Sequence, residues 1–293
     1  MTIAVSPVAT PLADALATAL GADDPTSLDG LVTRTPAGRR DRFATLLHIY
    51  DLHCGALERI GAAARHQHRP SISALKARCE ADWLAELETL PPPGDVEASR
   101  REQGAVAAMR DLAARNRLPA VYKWLARDAS WDDVVRFLAL EGGPDDGFDD
   151  LVAVCQLGLT GAPKMELATN YWDEMGNGDP AAVHTTLHEQ LVAAVDMPAP
   201  PIDELPVSAL ERAAFGGLLS TNRWLQPEMI GALGLIELQA GPRCRLVVQA
   251  LVRCEAPPAA FPFYEVHAAV DPRHGKDWLE KAIAPTVRRQ PQW

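Results

Sequence analysis

The sequence predicts an all-α protein, and three observations carry that expectation. Apolar residues recur at three- and four-residue steps through most of the chain. No stretch shows a convincing period-two alternation, and no strand–helix–strand pattern or fixed repeat appears. Proline and glycine stops then cut the chain into segments of helical length. A bundle of many medium helices follows.

Residues 1 to about 38 are rich in Ala, Thr, Pro and Gly and read as a loosely packed lead-in with one short helix at Pro11 to Leu20. From Arg40 the helical pattern is set by Phe43, Leu46, Leu47, Tyr50, Leu57 and Ile60. Pro70 opens a second helix, Ser71 to Leu90, which stops at the linker Pro91-Pro92-Pro93-Gly94. The linker divides the chain into an N-terminal helical extension, 1–94, and a main helical domain, 95–293. His66 and His68 lie in a basic run and read as surface, whereas His48, beside apolar neighbours, reads as a core histidine.

Beyond the linker, helices are expected at Val96 to Arg115, Leu118 to Arg127 and Ser130 to Glu141, the last stopped by Gly142-Gly143-Pro144. Phe148 to Leu159 is another. Pro163 opens a helix carrying Glu166 and Glu174, ended by Gly176-Asn177-Gly178. Asp179-Pro180 suits the cap and first turn of a helix running through His184 to Val195. After a proline-rich loop, Met197 to Pro206, helices resume at Ser208 to Leu219, Gln226 to Gln239 and Arg243 to Cys254. A last proline-rich turn precedes the helix Tyr264 to Ala284.

Composition narrows the function. A net charge of -11 argues against non-specific binding to nucleic acid or an anionic membrane, and no basic stripe with interleaved aromatics appears. The N-terminus lacks the basic start of a secretory signal, and the apolar runs are too short to span a bilayer. Five cysteines without a CxxC pair suit a reducing cytoplasm. The proline-rich loops and the Trp293 tail would support a homodimer.

Chemistry concentrates near the C-terminus, in His267-Ala-Ala-Val-Asp271-Pro-Arg-His274. Steps of four and seven residues return to one side of a helix, so two imidazoles and a carboxylate share a face. That donor set suits a hard-to-borderline metal ion. Upstream, Glu141 shares an apolar register with Val134, Phe137 and Leu138, and Glu174 shares one with Leu167, Asn170 and Tyr171. A buried carboxylate must be paired, protonated or metal-bound. Spacing alone does not choose between Asp173 and Glu174, which point about 100° apart. His184 falls in register with Leu187, His188 and Leu191, so one of the two histidines faces the core. Taken together, three carboxylates and three imidazoles on apolar helix faces form an inventory for two divalent ions in a bundle.

The run Asn170-Tyr171-Trp172-Asp173-Glu174-Met175-Gly176, His184 ten residues after Glu174, the His267/Asp271/His274 trio and Phe137-Leu-Ala-Leu-Glu141 resemble the haem-oxygenase-like dimetal oxidases and oxygenases, also known as iron-containing redox enzymes. The resemblance spans about Val106 to the C-terminus. It implies a haem-oxygenase-like helical fold with two Fe(II) ions, manganese being the alternative, in place of haem. It also implies Glu141, Glu174, His184, His267, Asp271 and His274 as ligands, and it is what favours Glu174 over Asp173. Some members carry a further carboxylate three residues before the helix histidine, where this chain has Ala181.

Two ferrous ions can each give one electron to O2, the co-substrate, while the protein keeps the site dry and places the substrate. The resemblance implies a small-molecule substrate and an external electron donor, and it covers amine N-oxygenation, oxidative decarboxylation and desaturation, with N-oxygenation of an amine the leading expectation. Trp172 is expected in core packing, and Arg223 at the surface rather than on a substrate carboxylate. The competing classes are a haem-binding bundle, a thiaminase-like hydrolase using Cys155, and a helical interaction module without catalysis.

Overall fold

The computed structural model describes residues 10–91, 104–115, 117–141 and 147–290, and among these there are helices and no strand. The expected all-α class is the observed one. No helix of the described residues is long and apolar enough to cross a membrane. The chain forms two compact units: Met1–Leu90 with Pro201–Thr221, and Pro91–Pro200 with Asn222–Trp293. The linker residues 92–94 and the start of the helix expected from Val96 lie outside the described residues; the helix is seen from Ala105 to Arg115.

In the first unit the lead-in is packed, contrary to expectation. Helices Leu12–Gly21 and Pro25–Gly30 bury Leu12, Leu16 and Leu28. The reason is Asp41, at the start of helix Arg39–Cys54. Its carboxylate accepts from the backbone N–H groups of Leu12 (3.0 Å), Ala13 (2.8 Å) and Ala37 (2.7 Å). It thereby satisfies first-turn donors for which Pro11 offers no side-chain cap. His66, expected at the surface, is buried, with Nε2 2.7 Å from Asp23. Its basic neighbour Arg65 meets the same carboxylate from outside, so the charge run covers the imidazole instead of exposing it. His48 is half-buried. The core between Arg39–Cys54 and Pro70–Glu88 is closed by Phe43 edge-on to Trp83 at 4.9 Å, and Glu80 is held between Tyr50 Oη (2.8 Å) and Lys76 Nζ (2.9 Å).

The spine of the second unit is one helix, Gln226–Arg253, where the sequence suggested two. Pro242 lies inside it. Helix Pro262–Asp277, which also contains a proline, packs antiparallel along it. The register is visible in three contacts: Trp278 over Gly234, Gly275 on the Glu237–Leu238 backbone, and Pro272 over Gly241. A Cβ on Gly275 would come within 2.7 Å of Leu238 Cα, so only glycine permits this approach. The approach sets Glu237 of one helix beside His274 of the other. Helix Pro262–Asp277 continues through a π turn, Trp278–Ile283, into Ala284–Arg289, where the sequence suggested one uniform helix. Beside this pair, an apolar cluster of Leu125, Val134, Leu138, Leu191, Val247 and Leu251 closes the core.

Candidate metal centre

Four helices supply the site. Helix Gly161–Glu174 ends with Asp173 partly buried and Glu174 buried. The chain then turns sharply: Gly176 and Asn177 adopt positive φ values of 60° and 55°. A side chain at Gly176 would strike the Ala182 carbonyl carbon at 2.6 Å. Asp179 caps only a short 3-10 turn, Pro180–Ala182, and the following helix, His184–Ala194, begins at His184 itself. This return brings His184 Nδ1 to 2.5 Å from Glu174 Oε2, without the alignment of a hydrogen bond. Helix Pro262–Asp277 adds His267, whose ring centroid is 4.5 Å from that of His184. Glu174, His184 and His267 each bring one donor atom within 4.8 Å of the others.

A second group shares Glu174. Glu174, Glu237 and His274 bring donor atoms within 4.8 Å of one another, and all three are buried. Glu237 was not foreseen. Its Oε1 accepts from Asn170 Nδ2 at 2.9 Å, and its Oε2 lies 3.6 Å from His274 Nδ1. Sequence did carry a signal: Ile230, Leu233 and Gly234 precede Glu237 at steps of seven, four and three, which puts it on the buried face.

Asp271 is only 2% exposed. Burial, and then the charges of Glu237 and Glu174, push its carboxyl well above the usual range. Burial and the neighbouring His184 instead lower His267 to about 4, so it is neutral. Its Nδ1 donates to the Phe263 carbonyl at 2.6 Å, which leaves the lone pair on Nε2. His274 is raised to about 9: burial opposes the charge, and Glu237 and Asp173 outweigh it.

Asp271 belongs to neither group, and Glu141, the remaining expected ligand, also stands outside both. Tyr122 donates to its Oε1, and Tyr264 to its Oε2 at 3.1 Å. Asp173 also lies outside them, with Oδ2 2.8 Å from His274 Nε2 and 2.6 Å from Arg273. Trp172, expected in the core, is exposed and lies over Gly178. Arg223 donates to the Leu157 carbonyl at 2.5 Å, a loop tie. Burial pushes the Cys155 thiol up to about 12, opposite to an activated nucleophile.

The arrangement fits a divalent cation. Among the described residues, His184 Nδ1, Asp271 Oδ2, His274 Nδ1 and Asn170 Oδ1 are buried without a hydrogen-bond partner. Two ionised carboxylates with oxygens within 4.8 Å of each other repel by about 3 kcal/mol or more at an effective dielectric near 20. Protons, or a cation, must offset that. Carboxylates and imidazoles without a thiolate suit iron and manganese, and zinc as well.

A family model described as iron-containing redox enzyme matches residues 136–292, just over half of the chain. The matched stretch contains every residue of both groups, Asp271 and Glu141. No curated protein matches the chain.

Proposed function

Because the chain belongs to the iron-containing redox enzyme family, a family of oxidoreductases, we propose that it is a non-haem diiron enzyme that uses O2 to oxidise a small metabolite. The observation that carries this reading is the pair of donor groups joined at the buried Glu174. One position would be held by Glu174, His184 and His267, and the other by Glu174, Glu237, Asp271 and His274. Two ferrous ions there supply two electrons for activating O2. An external donor returns the electrons.

The chain's own residues prepare the site. Glu174, at a helix end fixed by the Gly176 turn, faces both positions at once. Asn170 holds one oxygen of Glu237, so the other is turned towards His274. The Phe263 carbonyl fixes the proton of His267, and the Phe263 ring packs against that imidazole at 4.5 Å between centroids, shielding it from water. Glu141, with its two phenol donors, takes no metal in this reading.

N-oxygenation of an amine is the reaction proposed; oxidative carbon–carbon cleavage and desaturation are the other outcomes that product analysis distinguishes. The test is anaerobic loading of the purified protein with Fe(II), an iron count, and a visible spectrum after O2 is admitted. About two ions per chain and a transient visible absorption are expected, both lost in His267→Ala. Iron uptake unaffected by His267→Ala, or a Soret shift on adding hemin with no ferrous uptake, would overturn the reading.

A further inference from the structure

We propose that Asp173 is a positioning residue for the second metal position: it takes the Nε2 proton of His274, so that this imidazole presents Nδ1 inward. His267, seven residues earlier on the same helix, presents Nε2. The two histidines of one helix would thus bind through opposite ring nitrogens. The inference rests on the diiron reading above and deepens it.

Five contacts carry it. Asp173 Oδ2 lies 2.8 Å from His274 Nε2, and a carboxylate oxygen can only accept, so Nε2 carries the proton. Arg273 lies 3.3 Å from the same nitrogen; as a pure donor it has no lone pair there to meet. It grips Asp173 instead, at 2.6 Å, and so fixes the acceptor. On the other side of the ring, His274 Nδ1 is buried without a hydrogen-bond partner and faces Glu237 Oε2 at 3.6 Å. For His267 the assignment is reversed, because the Phe263 carbonyl takes the Nδ1 proton.

A ligand histidine whose far nitrogen donates to a carboxylate is held in one tautomer and made more basic, and loss of such a partner typically costs 10–100-fold in metal affinity. The adjacent acids therefore divide the work. Glu174 offers its carboxylate to the metal, and Asp173 aims an imidazole from a different helix. Asp173 does not touch the metal.

The test uses the full chain, 15N-labelled at histidine and loaded with Zn(II), read by long-range 1H–15N correlation beside calorimetric titration with Zn(II). Wild type should show His267 coordinated through Nε2 and His274 through Nδ1. Asp173→Ala should weaken one of the two binding events by roughly 10–100-fold, leave the other unchanged, and erase the Nδ1 signature of His274. Asp173→Asn, whose amide oxygen still accepts, should restore most of both. Coordination of His274 through Nε2 in wild type, or two unchanged binding events in a folded Asp173→Ala variant, would overturn the positioning role while leaving the diiron reading intact. A folded wild type that binds no Zn(II) and no Fe(II) would overturn the diiron reading, and this inference with it.

Discussion

The two units bury acids in opposite ways. In the first, Asp41 accepts from three backbone N–H groups, and Glu80 lies between a phenol and an ammonium group. In the second, Glu174 and Glu237 share one donor group, their charges bear on buried Asp271, and one oxygen of Asp271 and one nitrogen each of His184 and His274 lack a hydrogen-bond partner. A buried carboxylate whose oxygens are met by the protein's own donors is structure. One whose neighbours are other carboxylates and imidazole nitrogens without a hydrogen-bond partner is arranged for something the chain does not itself supply.

The contrast predicts opposite responses to neutralising an acid. The largest effect is expected at Asp41: Asp41→Ala leaves three N–H groups without their acceptor and should lower stability by about 3–5 kcal/mol, read by chemical denaturation. An unchanged midpoint would remove Asp41 from the structural class. Next is Gly275→Ala, which forces a Cβ against the Glu237–Leu238 backbone. It should cost about 1–3 kcal/mol and weaken metal uptake as well, because it parts Glu237 from His274. Full uptake with a normal melting temperature would show that the helix approach does not set the site.

Glu237→Gln should behave unlike Asp41→Ala. The amide keeps an oxygen for Asn170 and relieves the repulsion, so metal-free stability should hold or rise by up to about 1 kcal/mol, while metal binding falls. A loss beyond about 2 kcal/mol would place Glu237 with the structural acids. The smallest effect belongs to a third kind of acid, Glu86, which is half exposed and paired with buried Arg42. The Arg42 guanidinium holds its carboxyl below the usual range. A depressed carboxyl contributes stability above its unfolded pKa and loses it as pH falls through the folded value. Glu86→Gln should therefore flatten the acid limb of the melting curve, by less than about 1 kcal/mol because water screens the pair. An acid limb identical to wild type would mean that the pair contributes nothing measurable.

The helical class was legible because period and stops agree along the chain. Glu174, His184, His267 and His274 were legible as inward-facing polar residues on apolar registers, with the choice of Glu174 over Asp173 supplied by resemblance. What escaped sequence reading depends on partners distant along the chain. Glu237 was missed because a helix broken near Pro242 would put it in a last turn, free to reach water; the unbroken helix Gln226–Arg253 puts it mid-face. The two phenol donors of Glu141 were not legible either, because Tyr122 and Tyr264 lie on other helices. The packed lead-in was hidden for the same reason: its cap, Asp41, lies nearly thirty residues downstream.

The central claim is that the acid cluster of the second unit is completed by divalent metal. The most direct measurement is the melting temperature of the metal-free chain during anaerobic titration with Fe(II), beside Glu174→Gln. A ligand that binds only the folded state at a hundred times its dissociation constant stabilises by about 2.7 kcal/mol. A saturable rise in wild type, absent in the folded Glu174→Gln variant, is the predicted result. An unmoved melting temperature in wild type, or the same rise in both proteins, would contradict the account.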